Sequence, residues 1–340
     1  MSNLASRYLG LDLGHPIIAS ASPLSSTFDG MRRLEDAGAA AVVMASLFEE
    51  QVRAEDTKYA TISEYTAGSH PEALTYFPEL PDYRYGVSGY LDTLRRAADA
   101  LDIPVIASLN GITDAGWLDF ALQIEQAGAA ALELNISLLP TDFSITESDI
   151  EQRCLEIVRH VKSRVRIPVS VKFPPYFIAL GNFAQKLEAA GADGLVLFNS
   201  MPQTEMDLDT LTITRAVALS RPGDIHLPLI WTTLLSGCVN LSLAAGGGVD
   251  TYADVAKLLL GGADVVATAS ALLRHGAERM TALVEGLEGW LTENAFESVA
   301  EIRGCLDAAH TGRPEMFMRV EYARARMLAD LALEGQGYRS

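Results

Sequence analysis

A single lysine at the end of a buried strand is the residue of this sequence that most clearly suggests chemistry. Residues 167–175 read IPVSVKFPP, an apolar and β-branched run that ends in Lys172, Phe173 and two prolines. Such a run predicts a buried parallel strand, because prolines cannot continue the hydrogen-bond ladder. Lys172 then lies at the carboxyl end of the strand, where α/β enzymes carry their catalytic groups. The alternative is a lysine that merely extends its ammonium group to solvent.

Neutral hydrogen-bonding side chains end the other predicted strands. They are Ser20, Ser22, Ser46, Asn110, Asn135, Ser137, Asn199 and Ser200. No histidine, carboxylate pair or metal-ligand cluster accompanies them, which argues against hydrolysis by a metal or a catalytic triad. One cation among amides and hydroxyls suits a site that holds a planar polar molecule and stabilises an anion on it.

A glycine-rich loop predicts a phosphate site near the same strand ends. The segment Ala245-Gly246-Gly247-Gly248 precedes a predicted helix, and Ala269-Ser270 precedes another. Glycines let backbone N–H groups approach a ligand closely, and a helix N-terminus favours an anion. Ser236 and Gly237 are expected to add further donors. A phosphorylated planar cofactor such as flavin mononucleotide (FMN) would satisfy both the lysine and this loop.

A fourfold repeat indicates the fold that positions these residues. Residues 34–46, 124–137, 187–200 and 259–270 each read as a helix end, a glycine and a buried apolar strand. A second kind of strand entry recurs between them, which places strands at about 16–21, 40–46, 104–109, 130–135, 168–173, 194–199, 241–245 and 264–269. Eight strands alternating with helices predict a (β/α)8 TIM barrel, with an open doubly wound sheet as the alternative.

Three connections of this barrel are long, at 47–90, 136–149 and 200–240. All three leave from carboxyl ends of strands, so we expect them to cover the same mouth of the barrel. Residues 227–233 predict an extra strand outside the barrel. No change of composition marks a second domain, so residues 1–340 are predicted to form one barrel domain, with the 200–240 insert and a helical appendage at 311–340.

Composition excludes several classes of function. The 340 residues carry a net charge of -18 and their basic residues are scattered, so a nucleic-acid surface is not expected. Cys154, Cys238 and Cys305 show no metal-binding spacing, and a reducing cytoplasm is the expected location. The N-terminus lacks the apolar core of a signal peptide, and no apolar run is long enough to span a bilayer.

The sequence resembles the dihydroorotate dehydrogenase family of FMN barrels, and more closely its dihydroorotate dehydrogenase-like branch. The resemblance covers nearly the whole chain and includes five motifs: VKFPPYF (171–177), LFNS (197–200), AAGGGV (244–249), ATASAL (267–272) and FESVAEIRG (296–304). It implies a CH–CH dehydrogenase that oxidises dihydroorotate to orotate in pyrimidine biosynthesis, with a hydride passing to FMN.

The resemblance also implies roles for single residues. Lys172 would stabilise the negative charge of the reduced flavin, with Asn135, Ser137 and Asn199 completing the catalytic set. The implied FMN-binding residues are Ser20, Ala21, Ser22, Ser46, Asn110, Asn135, Lys172, Asn199, Ser200, Ser236, Gly237, Gly247, Gly248, Ala269 and Ser270. A homodimer and an electron-transfer partner subunit are expected, and no metal or membrane. The short N-terminal arm lacks the hydrophobic helix of quinone-using relatives, which favours a soluble, class 1-like enzyme.

Three positions depart from the family pattern. The family loop after the fourth strand reads Asn-x-Ser-Cys/Ser-Pro-Asn with its fourth residue as the base, and Leu138 holds that place here. A leucine cannot take a proton, so Ser137, Tyr76 or a water is considered as a substitute base. Ala45 and Tyr76 replace a lysine and an asparagine of the family. These changes leave a different CH–CH or enone substrate open, and the electron acceptor is open as well.

Two other functions also stay open from the sequence. In an aldolase-type barrel, Lys172 would form a Schiff base with a phosphorylated sugar. In a non-catalytic barrel, the chain would bind FMN or help a partner complex. A yellow purified protein would exclude the aldolase, and a bound flavin that no small reductant bleaches would favour the non-catalytic barrel.

Overall fold

Parallel strands form the centre of the protein. The computed structural model describes residues 2–51, 86–111, 114–137, 142–200, 203–216, 218–311, 323–324 and 326–328. The strands, in chain order, are β1 (Ser6–Tyr8), β2 (Leu11–Leu13), β3 (Ile17–Ala19), β4 (Val42–Val43), β5 (Leu47–Phe48), β6 (Val105–Asn110), β7 (Ala131–Asn135), β8 (Val169–Lys172), β9 (Gly194–Leu197), β10 (Gln203–Asp207), β11 (Thr212–Ala216), β12 (Ser242–Gly246) and β13 (Val265–Thr268).

The central sheet closes on itself. Its order is β4-β3-β13-β12-β9-β8-β7-β6-β5, and β4 also pairs with β6. Because Val42 pairs with Val105 and Leu47 pairs with Leu109, β4 and β5 are two parts of one position beside β6. The ring therefore has eight positions, as the repeats predicted. The prediction of a (β/α)8 TIM barrel is confirmed, and the open doubly wound sheet is excluded.

Helices surround the ring on the outside. They are α1 (Phe28–Asp36), α2 (Val87–Ala100), α3 (Asp114–Gln126), α4 (Glu147–Lys162), α5 (Leu180–Ala189), α6 (His226–Leu235), α7 (Tyr252–Leu260), α8 (Ser270–His275), α9 (Arg279–Glu293), α10 (Val299–Ile302) and α11 (Ala308–Thr311). Helix α4 begins at a capping box, in which Thr146 and Asp149 bond to each other's backbone N–H groups. None of the helices among the described residues has the length and apolar character that crossing a membrane requires.

Alternating side chains divide the apolar core into two parts. One face of each strand packs against the helices, and the other face fills the lumen of the barrel. The antiparallel β1–β2 hairpin adds the buried Tyr8 and Leu9 to this inner core, together with Ile18, Val43, Ile106, Val196 and Val265 from the strands. Leu9 donates its backbone N–H to Ser242 at the start of β12. The hairpin therefore closes the amino-terminal end, which leaves the carboxyl-terminal end for a ligand.

The extra strand predicted at 227–233 is wrong, because these residues form helix α6. The run is apolar without a clear period, and such runs do not distinguish a buried strand from a helix. Pro228 lies in the first turn, where its missing N–H costs nothing, and Thr232 donates its hydroxyl to the Pro228 carbonyl at 2.7 Å. The insert does contain strands, but they are β10 and β11, which pair with each other in an antiparallel hairpin.

Several predicted features lie outside the described residues. They include Tyr76 in the connection after the second strand and Leu138 after β7. Most of the appendage predicted at 311–340 also lies there, although residues 323–324 and 326–328 are helical. The domain boundaries and the roles proposed for these residues remain predictions.

The three cysteines should differ sharply in reactivity. Cys154 is buried in α4, and burial raises the pKa of its thiol to about 12, whereas Cys238 and Cys305 are exposed. A chromogenic disulfide reagent should therefore modify Cys238 and Cys305 in the native protein and reach Cys154 only after unfolding. Rapid loss of the Cys154 thiol under native conditions would contradict this packing.

Candidate active site

Three predicted site residues lie at one level of the carboxyl-terminal rim. Asn110 on β6 is the partner of Asn135 on β7, which is in turn the partner of Lys172 on β8. Residues paired across parallel strands project to the same side of the sheet, so these three share the inner face. The prediction that Lys172 ends its strand on this rim is confirmed.

The Lys172 ammonium lies inside the barrel and does not extend to solvent. Its Nζ is 3.4 Å from the Oε1 of Glu133 on the neighbouring strand. The same Nζ donates at 3.4 Å to the Ser20 hydroxyl, which follows β3 on the opposite side of the ring. The side chains of Lys172 and Glu133 are only 9% and 3% exposed. This lysine is therefore a buried, paired cation beneath the mouth.

Aromatic packing fixes the backbone that carries Lys172. Phe173 is 1% exposed and contacts Phe177, Phe183 and Phe198 edge-on, with ring centroids 5.6–5.8 Å apart. Phe177 and Phe183 also stack on each other at 4.2 Å. These contacts hold the Phe173–Phe177 turn against α5, so that the end of β8 is rigid. The sequence reading noted the prolines of this turn but not the role of its aromatic residues.

A chain of hydrogen bonds runs from Glu133 to the rim. Ser108 donates its hydroxyl to Glu133 at 3.2 Å, and the hydroxyls of Ser46 and Ser108 lie 2.9 Å apart. The Asn135 amide donates to Ser46 Oγ at 3.5 Å. Tyr90 of helix α2 stabilises the position of Ser108 in this network, since the Tyr90 hydroxyl accepts the Ser108 N–H at 2.9 Å. Ser46 and Asn135 are therefore connected through serine hydroxyls to the acidic partner of Lys172.

One acceptor of this network is buried without a partner. The Oδ1 atom of Asn135 makes no hydrogen bond with any of the residues that the structure describes. A buried carbonyl oxygen usually has a donor, because leaving it unpaired costs free energy. Asn135 stands at the rim beside Lys172, so this oxygen is placed to accept a hydrogen bond from a ligand.

The glycine loop after β12 has the backbone that an anion cradle needs. Gly247 and Gly248 have φ angles of +95° and +76°, which favour glycine over any other residue. A Cβ on Gly248 would lie 2.4 Å from the Ile225 nitrogen, whereas a Cβ on Gly247 would meet nothing within 4 Å. The Gly248 side of the loop therefore packs closely against neighbouring backbone, whereas the Gly247 side has free space. The first N–H groups of α8, beginning at Ser270, have no partner within their helix.

Lys172 and this loop share one rim of the barrel. Lys172 is level with Val196 on β9, and Val196 is level with Ala244 on β12. Gly246 ends β12 two residues farther toward the carboxyl end, and the loop follows it. The lysine and the glycines are thus separated by one intervening strand, and both face the carboxyl-terminal mouth.

The expectation that Ser236 and Gly237 join the cradle is wrong. They follow α6, which runs back toward the amino-terminal rim before β12 begins at Ser242. The Ser236 hydroxyl donates to Asp307 at 2.8 Å, and a Cβ on Gly237 would meet Ala309 at 2.9 Å. This pair packs the end of α6 against α11, on the opposite side of the barrel from the mouth.

Ser220 occupies the place that Ser236 was expected to fill. Its hydroxyl accepts the Gly248 N–H at 3.0 Å, and its own N–H donates to Ser270 Oγ at 3.0 Å. The sequence reading missed it. A signal was present, since Leu-Ser occurs at both 219–220 and 235–236. Only the first pair precedes α6, and a residue before that helix must lie at the mouth.

Arginines support the cradle from behind. Arg274 donates to the Ser220 carbonyl and pairs with Asp250 at 3.1 Å. Arg279 pairs with the same carboxylate at 3.5 Å and donates to the Asp250 carbonyl. Two guanidinium groups thus surround one carboxylate beside the loop, and this excess of positive charge favours an anionic ligand.

Ser137 and Asn199 form a second contact on the rim. The Asn199 amide donates to Ser137 Oγ, and the Asn199 N–H donates to the Phe173 carbonyl at 3.1 Å. The two residues therefore bridge the ends of β7 and β9 above Lys172. Accepting this bond does not remove the serine proton, so the contact suits substrate positioning better than proton abstraction.

The remaining predicted residues have mixed local roles. Ser22 caps the turn at Pro23–Ser25 by accepting the Leu24 N–H at 3.3 Å, and Ser20 donates its N–H to the Thr268 carbonyl at 2.9 Å. Ala21 lies between them, half-buried, and Ser200 is exposed. Ala269 directly precedes α8 at the cradle. No group of three or more histidine, cysteine, aspartate or glutamate side chains among the described residues could hold a metal ion.

Comparisons with known proteins agree with this architecture. The family model for dihydroorotate dehydrogenase matches residues 83–291. A putative dihydroorotate dehydrogenase A (fumarate) from Aeropyrum pernix is 30% identical over 217 residues, which cover 62% of this chain and 70% of that protein. The catalytic subunit of dihydroorotate dehydrogenase B (NAD(+)) from Halalkalibacterium halodurans is 26% identical over 312 residues, covering 89% and 98% of the two chains. The corresponding catalytic subunit from Bacillus cereus is 28% identical over 211 residues, covering 61% and 68%.

The family match spans more than half of the chain and includes both the Lys172 strand and the glycine cradle. Members of this family are oxidoreductases that act on CH–CH groups. With its closed barrel, its buried rim lysine and these relatives, the chain belongs to the dihydroorotate dehydrogenase family.

Proposed function

We propose that this oxidoreductase uses FMN, and that its flavin is held between Lys172 and the glycine cradle. The observation that carries the proposal is the pair of features on one rim: a buried ammonium at the end of β8 and the Gly247-Gly248 loop after β12. One supplies a positive charge for a planar ring, and the other supplies backbone donors for a phosphate.

The residues present fit this cofactor chemically. Asn135 Oδ1 is a buried acceptor that no described residue of the protein satisfies, as a ring N–H of a flavin requires. The Gly247 side of the loop is open where any other residue would place a Cβ, so an oxygen anion could approach the backbone. Arg274 and Arg279 add positive charge behind the loop. The donors and acceptors therefore match a ring at one end and a phosphate at the other.

The mechanism assigns distinct tasks to the residues of this chain. Bound FMN would supply the hydride acceptor. The Lys172 ammonium, held by Glu133 and Ser20, would stabilise the negative charge that develops during reduction. Asn199 and Ser137, which are in contact at the rim, would orient the substrate.

The ion pair also weighs against the aldolase hypothesis. A Schiff-base lysine must direct its amine at a substrate carbonyl, whereas the Lys172 Nζ lies 3.4 Å from the Glu133 carboxylate and donates to the Ser20 hydroxyl. The family match favours the oxidoreductase as well. A flavin-dependent activity thus gives the lysine a role in the position that it occupies, beside Glu133 and Ser20.

We further infer dihydroorotate as the first substrate to test, with orotate as the product in pyrimidine biosynthesis. A different CH–CH or enone substrate is the alternative, because Leu138 replaces the family base. We also propose that the chain delivers electrons to a separate subunit, since two of the relatives cited are named as catalytic subunits. For its assembly and location we propose a homodimer in the cytoplasm.

The direct test is anaerobic mixing of purified, FMN-loaded protein with dihydroorotate while the flavin absorption is recorded. Bleaching of the flavin would support the family reaction. A bound flavin that stays oxidised with dihydroorotate, yet is bleached by another CH–CH donor, would reassign the substrate. A protein that binds no FMN would overturn the proposal.

Leu138→Cys should accelerate flavin reduction by dihydroorotate. A positioned base contributes about 100- to 10,000-fold in other enzymes, so we expect a gain of at least about tenfold over the natural chain. Stopped-flow absorption would measure the rate. Leu138→Ala is the matched control, because it opens the same space without adding a base. Equal rates for the two variants would contradict a base at this position.

A further inference from the structure

Glu133 is a buried carboxylate whose only task in the proposed reaction is to hold the Lys172 ammonium. Its side chain is 3% exposed and lies in β7 between apolar neighbours. It does not reach the mouth, because Asn135 follows it on the inner face two residues nearer the carboxyl end. A buried charge costs free energy unless it is paired and hydrogen-bonded, so the contacts of Glu133 show what stabilises it.

Those contacts lead to both groups that face the ligand position. Glu133 Oε1 is 3.4 Å from Lys172 Nζ and accepts the Ser108 hydroxyl at 3.2 Å. Through Ser108 and Ser46 the hydrogen bonds continue to the Asn135 amide. A single carboxylate thus holds the cation directly and, through two serines, supports the amide whose oxygen has no partner in the part of the chain that the structure describes.

The charge of Glu133 matters as much as its position. With the carboxylate present, the ion pair in the lumen is neutral overall. Without it, the Lys172 ammonium would be an uncompensated positive charge immediately below the rim. A positive charge near a flavin stabilises the negatively charged reduced form, so the carboxylate opposes this effect.

We propose that Glu133 is a positioning residue that fixes the Lys172 ammonium and offsets its charge, and thereby keeps the reduction potential of the bound flavin low. This inference rests on the proposed function, since it requires a flavin at the rim. A low potential would make the reduced cofactor a stronger donor to the electron acceptor. Glu133 does not touch the substrate in this account.

Glu133→Gln is the variant that isolates the charge, because the amide keeps the shape and an oxygen acceptor for Ser108 and Lys172. We expect the oxidised–reduced equilibrium to shift at least about tenfold toward the reduced flavin, which is about 30 mV for a two-electron couple. The measurement is the midpoint potential of the FMN-loaded protein, determined anaerobically against a reference dye.

Glu151→Gln is the matched control. Glu151 is also a buried carboxylate paired with a lysine, since Lys186 Nζ lies 2.5 Å from its Oε2, but this pair joins α4 to α5 outside the barrel. Its loss should leave the potential unchanged. A potential in Glu133→Gln that equals that of the natural chain, or lies below it, would overturn the inference while leaving FMN use intact.

A double variant keeps the test decisive if Glu133→Gln takes up no flavin. Glu133→Gln with Lys172→Met removes both charges, so no buried cation is left unpaired. Charge compensation predicts that the double variant loses less unfolding free energy than the sum of the losses in Glu133→Gln and Lys172→Met, measured in denaturant on the flavin-free proteins. Additive losses would assign Glu133 to packing alone and overturn the inference, and failure of the natural chain to bind FMN would overturn the proposed function itself.

Discussion

Lys172→Met is expected to slow flavin reduction by substrate about 100- to 1,000-fold, the range found when one electrostatic stabiliser is removed from an active site. Methionine fills most of the same space but carries no charge. The negative charge developing on the ring would then have no cation to stabilise it, and the Glu133 carboxylate would lie below it without its partner. Stopped-flow absorption at saturating substrate would measure the rate of the reductive step.

The experiment must separate the loss of catalysis from the loss of stability that an unpaired Glu133 would cause. Removing one partner of a buried ion pair costs about 3–5 kcal/mol of stability. Lys172→Met should therefore be compared with the double variant that also carries Glu133→Gln, in which folding is restored but the cation is still missing. Lys186→Met is a control on the outer surface. A double variant that reduces its flavin at the natural rate would contradict the role of Lys172.

Gly248→Ala is expected to weaken FMN binding at least about tenfold. An alanine with a φ near +76° would be strained by about 1–2 kcal/mol, and its Cβ would lie 2.4 Å from the Ile225 nitrogen and 2.8 Å from the Arg221 carbonyl oxygen. The loop must move to relieve these contacts, which would break the Gly248–Ser220 hydrogen bond and shift Gly247 away from the phosphate that we propose it binds. Quenching of flavin fluorescence would give the dissociation constant.

Gly181→Ala provides the comparison for Gly248→Ala. Gly181 lies in α5, and a Cβ there would meet nothing within 4 Å. Alanine in a helix is more favourable than glycine by roughly 1 kcal/mol, so this variant should keep FMN affinity and lose no stability. Equal FMN affinity of the two variants would show that the glycine loop does not hold the phosphate.

The sequence predicted the barrel because its signals are local and repeated. Each of the four similar segments combines a helix end, a glycine and an apolar run, and the closing contacts then follow from the alternation of strands and helices. Lys172 was placed correctly for the same reason, since prolines marked the end of its strand. The run at 227–233 failed because an apolar segment of this length carries no period that separates strand from helix.

Site residues inside the lumen were harder to predict. Glu133 appears in the sequence as one acid within an apolar strand, and nothing in its neighbours indicates that Lys172 lies beside it. Its partners come from β6 and β8, so the contact exists only once these two strands have paired with β7. The error at Ser236 has a related cause: its Ser-Gly pair suits a phosphate loop, but its place after α6 puts it on the wrong rim.

The proposed site must hold one flavin by its phosphate and its ring at once. Titration of flavin-free protein with FMN and with riboflavin, followed by fluorescence, tests this point. We predict one FMN bound per chain, with riboflavin binding at least about 100-fold more weakly because it lacks the phosphate that the Gly247-Gly248 loop would bind. Equal affinity for the two flavins, or no binding of either, would contradict the account.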